Sequence, residues 1–97
     1  MAVGVIATLK IQEGKNADFE KAFLGLAAKV KANEAGCNFY ELHVSKSDPQ
    51  EYKVLEQYAS EADLAAHGQT DYFKEANMAM ATLVAAAPHV EVLDAVE

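Results

Sequence analysis

The sequence predicts a single α+β domain whose elements run strand, helix, strand, strand, helix, strand. Three observations lead there. Four segments rich in β-branched and aromatic residues (2–11, 38–45, 52–59 and 90–96) read as strands. Phe19, Phe23, Leu26 and Val30 recur at helical spacing between the first two, and Phe73, Asn77, Met80 and Val84 do so before the last. Turn and capping residues then fall at the junctions, where the periodicity changes.

The first strand, Ala-Val-Gly-Val-Ile-Ala-Thr-Leu-Lys-Ile, is apolar on both alternating faces and should be covered on both sides. Glu13-Gly14-Lys15 is a turn. Asn16 is placed to cap the first helix, with Asp18 and Glu20 in its opening turns favoured by the helix dipole. Lys29 and Lys31 suit its far end, and Gly36 reads as a left-handed stop.

The second strand follows at once. Asp48-Pro49, flanked by Ser47 and Gln50, turns the chain into the third, so these two should form an antiparallel hairpin. Ser60 with Asp63 resembles a capping box for a short helix that carries Leu64 and His67 and stops at Gly68. Thr70 caps a further helix, and Pro88 marks its end before the last strand. This order is the ferredoxin-like βαββαβ arrangement, one four-stranded antiparallel sheet with helices on one face. Helices on one face leave the other uncovered, and an apolar patch there calls for a partner. A homodimer is expected.

The chain has 97 residues, a net charge of −7, eight lysines and no arginine. An acidic surface repels phosphate backbones, which speaks against nucleic acid as a partner. The missing arginine removes the usual bidentate clamp for phosphate or carboxylate. No apolar run is long enough to cross a membrane and nothing resembles a leader peptide, so a cytoplasmic protein with no membrane partner is expected. The lone Cys37 forms no internal disulfide and reads as a small buried filler.

Three histidines are present, none at metal-ligand spacing, so no metal site is expected. His67, ending a short helix, either caps its last carbonyls or serves as a base whose neutral imidazole takes a proton at pH 7. Glu56, in phase with Tyr52, Val54 and Tyr58, is either a sheet-edge or cross-strand charge or a buried carboxylate that orients His67 or acts as an acid. Tyr40, Phe73 and Met80 read first as core.

The residues Glu34-x-Gly36-Cys37-x-x-Tyr40-Glu41, Asp48-Pro49 and Glu56-x-Tyr58-x-Ser60-x-x-x-Leu64-x-x-His67 resemble the antibiotic biosynthesis monooxygenase family, including its quinol monooxygenase-like members. The resemblance spans essentially the whole chain. It implies a dimeric α+β barrel with a pocket between helices and sheet in each protomer. It also implies oxidation of quinols or anthrone-like polyketides by dioxygen without a cofactor. His67 would be the base, and Tyr58, Tyr72 and Phe73 would line the pocket. The tryptophan of the haem-degrading branch has no counterpart, since the chain contains no Trp.

Proton transfer from a phenol-like hydroxyl to histidine is uphill by roughly 5 kcal/mol, so the site must also stabilise the substrate anion. Tyr58, Tyr72 and Asn77 are the candidate donors, and Glu56 joins them as a substrate-binding residue. The leading expectation is therefore a cofactor-free monooxygenase acting on a quinol-like or hydroxylated aromatic molecule. The same base could instead run a proton-shifting isomerisation of a small carbonyl compound. A non-catalytic small-molecule binding module, with His67 merely capping, is the third reading.

Overall fold

A computed structural model describes residues 1–97. The chain runs β1 (Val3–Lys10), α1 (Asn16–Asn33), β2 (Cys37–Val44), β3 (Glu51–Tyr58), α2 (Glu61–Gly68), α3 (Asp71–Ala81) and β4 (His89–Asp94). The four strands form one antiparallel sheet in the order β2-β3-β1-β4, the ferredoxin-like arrangement expected. β1 and β3 are central. Strand alternation puts Val3, Val5 and Leu9 of β1, Tyr52, Val54, Glu56 and Tyr58 of β3, and Tyr40 of β2 on the helix-covered face, and all are buried.

Helix α1 lies on that face through the predicted stripe: Phe19, Phe23, Leu26 and Val30 are all buried. Phe19 packs against Tyr52 with ring centroids 4.8 Å apart, and Phe23 stacks on Tyr40 at 5.4 Å. Such aromatic pairs contribute about 0.5–1.5 kcal/mol beyond the area they bury. Met80 of α3 joins the same cluster. The short helices start as their sequences prescribe. Ser60 Oγ accepts from the Asp63 amide at 3.2 Å, and Thr70 Oγ1 accepts from the Phe73 amide at 3.3 Å.

Three local expectations are corrected. Asn16 does not cap α1; it is the first helical residue, and its amide donates to the Pro49 carbonyl and the Tyr52 hydroxyl. The tertiary partner outcompetes the local one, tying the helix start to the β2–β3 hairpin. Helix α3 ends at Ala81 rather than running to Pro88, and Val84 instead bridges Ile11.

Gly36 is not a left-handed stop, because only Gly14 has a positive φ. It is required by close approach: a Cβ there would lie 2.3 Å from the Asp63 carboxyl. That carboxyl is held by the Ser60 hydroxyl at 2.8 Å, so it cannot yield without loosening the α2 cap. Gly36→Ala is expected to cost about 1–3 kcal/mol, as overpacking does, and a thermal melt would read this as a fall of several degrees.

The opposite sheet face carries no helix. Ile6 and Leu55 pair at its centre, with Phe39 and Leu93 exposed beside them. Glu41, His43, Lys53, Gln57 and Glu91 share that face, so its apolar part is a central strip within a polar surround. On the helix side, β4 is also uncovered, leaving Val90 and Val92 exposed.

Candidate functional site

Between the sheet and the helices lies a cavity of about 440 Å³, within the range of small-molecule sites. Val5, Ala7, Leu9 and Val54 form its floor, with Val90 at the β4 side. Phe23, Leu26, Phe73 and Met80 form its roof. Four side chains with polar atoms line this largely apolar wall: Glu56, His67, Asn77 and Tyr40.

The Ser60 side-chain cap starts α2, and one face of the helix then carries Leu64 and His67 inward to the cavity. His67 does not cap its helix with its side chain. Its Nδ1 lies 2.9 and 3.1 Å from the two carboxylate oxygens of Glu34, the residue that closes α1. Tyr72 at the start of α3 donates its hydroxyl to the same carboxylate. With Nδ1 donating to Glu34, the tautomer leaves an unprotonated lone pair on Nε2.

That Nε2 is buried and has no hydrogen-bond partner, the single such side-chain atom in the molecule. Leaving it so costs about 1–3 kcal/mol, which asks for an explanation beyond folding. The rings of Tyr40, Tyr58 and Phe73 surround the imidazole at centroid distances of 5.3, 5.3 and 4.5 Å. Burial in this apolar setting pushes the His67 pKa below its ordinary value, while the Glu34 carboxylate pulls it back part of the way. His67 is thus neutral at pH 7 yet has a counter-charge ready for the proton it would gain.

Glu56 sits one position from the sheet centre, opposite Val5 on β1 and Tyr40 on β2. Burial is the main cause that pushes its pKa up to about 7, with the Glu34 charge adding to it and the Tyr58 hydroxyl opposing it. Tyr58 donates to Glu56 Oε1 at 2.6 Å.

Of the residues expected at the site, His67, Glu56, Phe73 and Asn77 line the cavity. Tyr58 and Tyr72 stand behind it, engaged with Glu56 and Glu34 respectively. Each tyrosine therefore holds a carboxylate that serves the cavity, and Asn77 remains as a neutral donor on the wall itself. Glu56 does not orient His67; Glu34 does. The one sequence signal for Glu34 was its place at the head of the Glu34-x-Gly36-Cys37 pattern.

The sequence profile of the antibiotic biosynthesis monooxygenase family matches residues 2–79. The chain belongs to that family. Among solved structures, a Caulobacter crescentus protein carrying the same family name is 59% identical, covering 99% of this chain and 91% of its own, with a TM-score of 0.97. A Nitrosomonas europaea protein of that family name superposes with a TM-score of 0.93 at 19% identity, covering 97% of this chain and 89% of its own. Rv0793 from Mycobacterium tuberculosis gives 0.92 at 21% identity, covering 100% of this chain and 97% of its own. These last two show the shared fold. No curated protein matches the chain.

In this member of the antibiotic biosynthesis monooxygenase family, no three His, Cys, Asp or Glu side chains converge as a metal site would require. No helix is long and apolar enough to cross a membrane.

Proposed function

We propose that this chain is a cofactor-independent monooxygenase that oxidises a quinol-like or hydroxylated aromatic molecule with dioxygen. One observation carries the reading: a buried, partnerless imidazole nitrogen at the wall of an apolar cavity, with a carboxylate fixed on the other nitrogen. The family membership supports the reaction class.

The substrate ring would lie among Phe23, Phe73, Met80 and Val54, with its hydroxyl toward His67 Nε2. The imidazole takes the hydroxyl proton, and the imidazolium so formed is stabilised by Glu34. Transfer from a phenol to histidine is uphill by roughly 5 kcal/mol even at an ordinary histidine pKa, and burial makes it steeper. The contact between phenolate and imidazolium in a medium of low dielectric offsets part of this, and the Asn77 amide adds a donor for the anion.

The phenolate is electron-rich enough to give one electron to dioxygen. Recombination of the two radicals forms a carbon–oxygen bond, and loss of water leaves a quinone. Overall, one hydroxylated aromatic and one dioxygen give one quinone and one water.

Glu34→Gln tests the counter-charge. The amide oxygen can still accept from Nδ1, but the imidazolium loses its charged partner. Turnover is expected to fall by about tenfold or more, the equivalent of one pKa unit of proton affinity. The acid limb of the rate profile should move to lower pH, because Glu34 raises the His67 pKa in the parent chain. A limb that stays in place would separate Glu34 from the base.

Turnover of a quinol panel under air and under nitrogen tests the reaction class. Oxygen-dependent product formation supports the reading, whereas equal turnover without oxygen would make the site a proton-shifting isomerase. The uncovered strip of Ile6, Leu55, Phe39 and Leu93 supports a homodimer formed through the sheet face. Sedimentation at micromolar concentration should find dimers, and a stable monomer would refute this assembly.

A further inference from the structure

We propose that Glu56 is a second catalytic group at this cavity, an acid that protonates the oxygen leaving as water while His67 removes a ring hydrogen. The inference rests on the monooxygenase reading above and assigns the substrate class more narrowly.

The Tyr58 hydroxyl makes the single hydrogen bond that the Glu56 carboxyl receives, on Oε1. Oε2 has no partner, yet it is not among the fully enclosed partnerless atoms, where His67 Nε2 stands alone. Glu56, His67 and Tyr40 line the same cavity, and of their unengaged polar atoms Oε2 and Nε2 are the two that can exchange a proton near neutral pH, because burial drives the Tyr40 hydroxyl to weaker acidity. Tyr58 couples them physically: its ring packs 5.3 Å from the imidazole while its hydroxyl holds the carboxyl.

Other titratable groups around Glu56 are Tyr40 and Cys37 from β2, with Glu34 and Tyr72 behind His67. β1 and β4 bring only Val5 and Val92 to its level. No cation faces it. Burial keeps its pKa at about 7, so a large share of the molecules hold the acid protonated at neutral pH.

The chemistry needs such a group. After His67 has taken the hydroxyl proton and dioxygen has bonded to a ring carbon, the imidazolium returns its proton to the peroxide, giving a hydroperoxide and a neutral imidazole. Collapse to the quinone then requires two proton movements together. The C–H bond at the oxygenated carbon breaks toward a base and its electron pair forms the new carbonyl. The O–O bond breaks, and the departing hydroxide takes a proton to become water. One imidazole cannot be base and acid in the same step. His67 Nε2 takes the C–H proton, Glu56 gives its own to the hydroxide, and solvent later returns the imidazolium proton to the carboxylate. The substrate must therefore carry hydrogen on the carbon, conjugated with its hydroxyl, that becomes the carbonyl.

The experiment compares the parent chain with Glu56→Gln and Tyr58→Phe on a panel of hydroxynaphthalenes and naphthohydroquinones, following dioxygen, organic hydroperoxide and quinone. Glutamine keeps the shape and the Tyr58 hydrogen bond but has no acidic proton. Glu56→Gln is expected to take up dioxygen, accumulate hydroperoxide, and release quinone about 10²-fold more slowly. The parent's loss of rate as pH rises through about 7 should vanish in it. In Tyr58→Phe that loss should move to higher pH, because the lost hydrogen bond had favoured the ionised carboxyl.

Parent-like quinone release from Glu56→Gln, or an unmoved alkaline limb in Tyr58→Phe, overturns the assignment of Glu56 and leaves the monooxygenase reading intact. A parent chain that consumes no dioxygen with any member of the panel overturns both.

Discussion

His67→Ala is expected to oxidise quinols about 10²- to 10⁴-fold more slowly than the parent chain, the usual loss when a positioned general base is removed. No other group on the cavity wall combines a free basic atom with a counter-charge for the proton it would gain. Asn77 does not accept protons there, and the Tyr40 hydroxyl is driven to still weaker acidity by burial. Glu56, with a pKa of about 7, is only partly ionised at neutral pH and is held by Tyr58 rather than by a counter-charge. The substitution also leaves Glu34 with Tyr72 as its remaining partner from this cluster, so a modest loss of stability should accompany the loss of rate. A melt showing folded variant, together with oxygen uptake near the uncatalysed rate, would establish the role. Unchanged turnover in folded variant would remove the imidazole from the reaction.

The second large effect concerns stability and is independent of any substrate. Glu56 has a pKa of about 7 in the folded chain against an ordinary value of 4.5. A raised carboxyl pKa means that the folded state holds its proton where the unfolded state has lost it. Its contribution is complete below pH 4.5 and declines as pH rises through about 7, by roughly 3 kcal/mol in all. His67 runs the other way: its lowered pKa makes its contribution fall away as pH drops below 6.5. The two trends overlap, so the comparison must be with Glu56→Gln, which keeps the Tyr58 hydrogen bond and cannot ionise. The stability of Glu56→Gln relative to the parent should increase by about 3 kcal/mol between pH 4.5 and pH 8. A difference that stays constant with pH would place Glu56 in contact with solvent.

Much of the fold was legible because its signals are local and periodic. The α1 stripe, the Ser60 and Thr70 caps and the Asp48-Pro49 turn each report on a few neighbouring residues, and each took its expected place. What failed depended on distant partners. Asn16 looked like a cap until Pro49 and Tyr52 claimed its amide. Gly36 looked like a left-handed stop, but the constraint on it comes from Asp63 in another helix.

The site divides in the same way. His67, Glu56, Phe73 and Asn77 could be placed on the cavity from strand phase, helix spacing and the family pattern. The pairing of Glu34 with His67 could not, because it joins the end of α1 to the end of α2 across 33 positions. Nor could Tyr58 and Tyr72 be told from cavity-lining residues, since which carboxylate a hydroxyl meets is decided by packing alone.

Ionisation of an aromatic hydroxyl by a buried, carboxylate-backed imidazole, followed by direct reaction with dioxygen, would leave a stoichiometric signature. The most direct measurement is dioxygen consumed per quinone formed, using protein stripped of metal by chelation and free of flavin absorbance. One dioxygen per quinone, no release of hydrogen peroxide, and loss of both signals in His67→Ala are expected. Quinone formed without oxygen uptake, or oxygen uptake that survives intact in that variant, would contradict this mechanism.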